Sequence, residues 1–82
     1  MGYHERNITK GILGEVSKIL EELEEYEDAC EQGNRILQLI ELSDVYGALE
    51  SLTNKHCLTM EDLKIMSDRT KSAFIDGSRK WI

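Results

Sequence analysis

Apolar residues return at helical spacing through most of this chain. From Ile12 to Glu31, the residues Ile12, Val16, Ile19, Leu20, Leu23, Tyr26 and Cys30 fall on one stripe of a helix. Gly33 reads as the stop of that helix, because a residue without Cβ takes left-handed backbone freely, and Asn34 reads as the cap of the next. The second helix is predicted from Arg35 to Thr53. Ile36, Leu37, Leu39, Ile40, Leu42, Val45, Tyr46, Ala48, Leu49 and Leu52 cover more than one of its faces, so it is expected to be the most buried. Asn54 to Leu58 is a loop by composition. At Thr59 a third helix opens, where Thr59-Met60-Glu61-Asp62 has the shape of a capping box with Asp in the acidic position. Leu63, Met66, Thr70, Ala73, Phe74 and Gly77 continue its spacing, and the helix is expected to weaken near Gly77. Ser78 to Ile82 would form a short extension or an ordered tail, and the first 11 residues an extended segment or a short extra helix.

Three helices with short connections predict an all-α fold: an antiparallel bundle forming a single domain over residues 1–82. A chain of this size buries only about 60–65% of the surface that it exposes when unfolded. Three short helices cannot cover the second on all sides, so a homodimer or higher homo-oligomer is expected to complete a larger bundle. The absence of proline and the abundance of Leu, Ile, Glu and Lys agree with helices. A net charge of −6 speaks against binding a nucleic-acid duplex, which wants a basic face. No run of apolar residues is long enough for a membrane span, and MGYHERNITK lacks the apolar core of a secretion signal. Cys30 and Cys57 fit no metal or redox spacing and are expected to be reduced thiols of a cytoplasmic protein.

The acids alter this picture. Glu21, Glu22, Glu24, Glu25, Glu27 and Asp28 crowd the first helix, and such a run is usually a solvated face. Glu22 and Glu25, however, are three apart and lie beside Ile19, Leu23 and Tyr26, at the border of the core. Glu41 and Asp44 are also three apart, in line with Leu37 and Ala48, so they interrupt an apolar face. Unpaired buried carboxylates are costly. Arg35 and Lys55 lie too far along the helix to neutralise both acids, and a cation from outside is the simplest remedy. Antiparallel packing can bring the two pairs together as an all-oxygen site for Mg²⁺, with Mn²⁺ also suitable.

Glu21-Glu22-Leu23-Glu24-Glu25 followed by Glu41-Leu42-Ser43-Asp44 matches the E-E-x-x-E and E-x-x-D signature of the MazG-like all-α nucleoside triphosphate pyrophosphohydrolases. Fifteen residues separate the halves, within the usual range of that family. The stretches GEVSKILEELEEYEDACEQGN, ELSDVYGALE and DLKIMSDRTKSAFIDGSR resemble its short phage-type, phosphoribosyl-ATP pyrophosphohydrolase-like members across nearly the whole chain. The family's third-helix asparagine–lysine pattern is replaced by Asp68-Arg69-Thr70-Lys71. The resemblance implies cleavage of a nucleoside triphosphate between its α and β phosphates, in a bacterial or phage-infected cell. It implies Mg²⁺ on Glu22, Glu25, Glu41 and Asp44, a general base among Glu21, Glu25 and Glu41, and phosphate contacts from Lys18, Lys71 and Arg79.

Tyr3 and His4 could reach a neighbouring subunit's base pocket, although a ragged terminus is the plainer expectation. His56 is expected to be exposed, Tyr46 to be core, and Trp81 to fill a dimer interface. Two other functions are compatible with the same sequence: a metal- and nucleotide-binding module without turnover, and a helical interaction protein whose acids are only surface.

Overall fold

A computed structural model describes residues 4–75. Within them the chain forms α1 (Val16–Gln32), α2 (Arg35–Lys55) and α3 (Met60–Ile75), with no strand among the described residues. Gly77, Lys80, Trp81, Arg79 and Tyr3 lie outside that range.

The local signals act as their chemistry predicts. Gly33 ends α1 with φ 68°, and the Gly33 and Asn34 amides donate to the Cys30 and Ala29 carbonyls at 3.0 and 3.1 Å. Asn34 then caps α2, its Oδ1 accepting from the Leu37 amide at 3.0 Å. At α3 the box closes reciprocally: the Thr59 amide donates to Asp62 at 2.8 Å and the Asp62 amide to Thr59 Oγ1 at 3.2 Å.

The first helix starts at Val16 rather than Ile12. Gly14 sits at φ 90°, outside any right-handed helix, so residues 12–15 form a turn closed by the Glu15 amide on the Ile12 carbonyl at 3.0 Å. The segment before it is a strap running antiparallel to α1. Its early end is pinned at Asp28, where the Glu5 amide donates at 3.0 Å, and by Arg6 on Glu31 at 2.6 Å. Its late end is pinned by the Gly11 amide on Glu21 Oε1 at 2.8 Å. Any Cβ at Gly11 would overlap the Ser17 carbonyl. Gly11→Ala is therefore expected to cost about 1–3 kcal/mol, as other small-to-large changes in tight places do, read as a fall in Tm by circular dichroism.

α1 and α2 form an antiparallel hairpin, while α3 has little contact with either. The three-helix bundle anticipated from short connections is thus a two-helix hairpin with a third helix leading away. The radius of gyration, 15.5 Å, exceeds the roughly 11–12 Å expected of a compact chain of this length. In consequence α2 is not widely buried: only Leu37, Glu41, Ala48 and Thr53 are shielded, while Ile36 and Leu39 are 75% and 69% exposed. The α1 stripe also faces outward, with Ile12, Val16, Leu20 and Leu23 exposed, and so does Tyr46. The buried positions of the hairpin are instead Leu37, the small residues Ala29 and Ala48, and the polar Glu21, Glu22, Asp28, Glu41 and Thr53. No helix of the described residues is long and apolar enough to cross a membrane.

Candidate metal centre

The line Leu37, Glu41, Asp44, Ala48 on α2 faces α1, which places its two acids opposite Glu22 and Glu25. Carboxylate oxygens of Glu22, Glu41 and Asp44 lie within 4.8 Å of one another, as do those of Glu21, Glu22 and Glu25. Glu22 and Glu41 are 5% and 4% exposed, and Asp44 remains open to solvent. The four residues expected to hold a metal are thus linked through overlapping triads, Glu22–Glu41–Asp44 and Glu21–Glu22–Glu25, with Glu25 also grouped with Glu41 and His4. A cleft of about 690 Å³ opens beside them, with Glu25, Glu41 and Asp44 on one wall and His4, Arg6 and Lys10 of the strap on the other.

The cluster draws part of its compensation from within the chain, from two side chains other than the Arg35 and Lys55 weighed in the sequence. Lys18 Nζ bridges Glu21 Oε1 at 3.1 Å and Glu22 Oε1 at 3.2 Å, so this lysine is engaged with the acids rather than held free for phosphate. His4, which sequence left as a ragged end, reaches into the seam of its own chain. Its Nδ1 lies 2.8 Å from Asp28 Oδ2, and its Nε2 lies 2.7 Å from Glu41 Oε2 and 3.1 Å from Glu25 Oε2. No periodicity marks a side chain that arrives from an extended strap; the only sequence signal was the acidic excess it relieves.

Even so, two buried carboxylate oxygens, Glu22 Oε2 and Glu41 Oε1, have no hydrogen-bond partner among the described residues. Buried polar atoms are seldom left so. Protonation reflects the same crowding. Burial, followed by the charges of Glu22 and Glu41, pushes Glu25 up to about 7. Burial also raises Glu41, and although the His4 hydrogen bond opposes it, the neighbouring Asp44 keeps the net direction upward. Burial would lower His4, but its bonds to Asp28 and Glu41 outweigh that and raise it. Glu21 and Asp28 go the other way: burial would raise each, yet the Gly11 amide and Lys18 hold Glu21 down, and His4, the Glu5 amide and Gln32 hold Asp28 down. A divalent cation bound by hard oxygen donors suits this set, because it would satisfy both orphaned oxygens and offset charge that the chain now neutralises with protons.

The remaining expected site residues are not gathered here. Lys71 is exposed on α3, near Asp68, and does not line the cleft. Arg79 lies outside the described residues. Comparison with known protein families, with characterised proteins and with solved structures gives no match to this chain.

Proposed function

We propose that the chain is a divalent-metal-dependent nucleotide pyrophosphohydrolase of the MazG-like kind, cleaving a nucleoside triphosphate or related nucleotide to a monophosphate and pyrophosphate. The observation that carries this reading is the pair of buried, unpartnered oxygens on Glu22 and Glu41, one from each half of the acidic signature. Glu22, Glu25, Glu41 and Asp44 would hold Mg²⁺ or Mn²⁺. Bound there, the ion would supply positive charge for the phosphoryl oxygens and would lower the pKa of an attacking water. Cleavage of the α–β phosphoanhydride adds that water's oxygen to one phosphorus and needs a group to take its proton. Of the three carboxylates expected to do so, Glu21 is the least suited, since Gly11 and Lys18 occupy it and hold it well ionised. Glu25, at the cleft wall beside Glu41, is better placed to take that proton. Arg6 and Lys10 add positive charge to the facing wall, where a polyphosphate would enter; Arg6 is shared with Glu27 and Glu31, whereas Lys10 is largely solvated. Pyrophosphate release from a nucleotide panel in the presence of Mg²⁺ or Mn²⁺ tests this reading. Metal and nucleotide binding without release would favour the binding module, and neither would favour a helical interaction protein.

The working form is a homodimer or higher homo-oligomer. The exposed apolar residues of α1 and α2, including Leu20, Leu23, Ile36, Leu39 and Ile40, form faces that a single chain leaves in water. Burying such faces against a second copy would supply the core that the hairpin lacks. Light scattering is expected to return at least twice the 9.4 kDa chain mass at micromolar concentration, and a monomer mass would overturn the assembly.

A further inference from the structure

His4 is arranged as metal-binding histidines are. Such a histidine commonly donates one ring N–H to a carboxylate, which fixes its tautomer and leaves the other nitrogen's lone pair for the ion. Asp28 fills the first role: it is 1% exposed, accepts from His4 Nδ1 at 2.8 Å, and is itself held by the Glu5 amide at 3.0 Å and Gln32 Nε2 at 2.8 Å. In the metal-free chain Nε2 is hydrogen-bonded to Glu41 Oε2 at 2.7 Å and lies 3.1 Å from Glu25 Oε2, so an ion bound there would take the place of the proton they share. Neighbouring donors around an octahedral ion, at bond lengths of about 2.1 Å, stand about 3.0 Å apart. Those two separations bracket that value. On the same Glu41 carboxylate, Oε1 is buried and unpartnered, as is Glu22 Oε2, and Glu41 is common to the His4–Glu25–Glu41 and Glu22–Glu41–Asp44 groups.

We propose that His4 is a nitrogen ligand of this metal centre, oriented by Asp28, and that it turns an all-oxygen magnesium site into a mixed nitrogen–oxygen site selective for first-row transition cations such as Mn²⁺ and Co²⁺. This rests on the acidic seam being a metal site, and adds a ligand from the strap that the acidic signature does not contain. Imidazole gains more from a transition ion than from Mg²⁺, which prefers oxygen and retains its waters. The strap would then be fixed by the metal as well as by its own hydrogen bonds.

The test uses the full chain with metal salts alone. Titration calorimetry should show Co²⁺ and Mn²⁺ binding at least about 100-fold more tightly than Mg²⁺. His4→Gln, which keeps a hydrogen-bonding side chain, should weaken Co²⁺ by roughly 10–100-fold and Mg²⁺ by less than about threefold, and Asp28→Asn should weaken Co²⁺ by about tenfold. Helicity by circular dichroism verifies that each variant folds. Independently of any variant, proton NMR of the Co²⁺-loaded wild type should show a strongly shifted, exchangeable His4 ring N–H. Absence of that resonance, or equal effects of His4→Gln on Co²⁺ and Mg²⁺, would overturn the proposal. Tighter binding of both ions by the variant would do the same, marking His4 as an internal cation that competes with the metal. In those cases Glu41→Gln still abolishes binding and the metal-site reading stands. If the wild type binds neither ion, or Glu41→Gln changes nothing, that reading falls and the ligand role falls with it.

Discussion

Glu41→Gln is expected to abolish metal-dependent hydrolysis while making the metal-free protein more stable. Glu41 is 4% exposed and faces Glu22, Glu25 and Asp44, and burial and Asp44 keep its carboxyl raised even against the His4 hydrogen bond. Its charge is therefore a burden on the fold when no metal is present. Glutamine keeps the shape and keeps an oxygen to accept from His4, 2.7 Å away in the wild type. Its amide N–H groups replace the orphaned Oε1 and can donate toward Glu22 or Asp44, whose oxygens lie within 4.8 Å. Removing that repulsion is worth on the order of 1 kcal/mol, which for a domain this small is ~4–8 °C in Tm. On the functional side an anionic ligand is lost from the centre of the donor set. Metal affinity should fall by at least about 100-fold, since even outer-shell partners commonly change it 10–100-fold, and turnover by about a thousandfold. Thermal melts in chelator and pyrophosphate release in Mn²⁺ or Mg²⁺ measure the two halves. Lost activity with a lowered metal-free Tm would mean that Glu41 is a structural partner of His4, and retained activity would remove it from the site.

The acids at the centre of that prediction were legible because α2 breaks its own pattern. A line of Leu37, Glu41, Asp44 and Ala48 cannot be a uniform apolar face, and two of its members are buried beside a buried Glu41. The helix caps at Gly33, Asn34 and Thr59 were legible for a similar reason: each is a local device acting within five residues. His4 was not, because its partners lie 24 and 37 positions away and an extended strap has no period to read. The start of α1 was displaced for a backbone reason, the positive φ of Gly14, which the apolar residue Ile12 outweighed in the pattern. Of the stripe, Ile12 falls outside α1, Ile19 and Tyr26 are half-buried and the rest are exposed, because periodicity says only that a face is apolar and not what covers it. In one chain the face of Leu20 and Leu23 meets solvent and the seam is filled with carboxylates.

Metal is expected to reverse the pH dependence of stability. In the metal-free protein Glu25 has a folded pKa of about 7 against an ordinary 4.5, so the folded state binds its proton more tightly than the unfolded state does. The associated stabilisation is complete below about pH 4.5 and is lost as pH rises through about 7. His4 acts in the same direction, because its folded pKa is raised above 6.5 and its contribution also disappears with rising pH. Asp28 and Glu21 act oppositely, with folded values below 3.8 and 4.5, so their contribution is lost only as pH falls through those lower values. Above about pH 5 the first pair loses its stabilising protons while the second stays ionised, so the metal-free Tm should fall as pH rises through about 7. A bound cation needs its carboxylates ionised and its imidazole neutral, so its affinity rises with pH and binding releases protons. At about 100 times the dissociation constant it adds roughly 2.7 kcal/mol, or ~10–20 °C for a domain of this size. Melts in chelator and in excess Mn²⁺ should then diverge with pH, nearly meeting near pH 5 and standing furthest apart near pH 8. Parallel curves would mean that the protons held by Glu25 and His4 are not what the metal displaces, and would separate the acidic seam from the binding site.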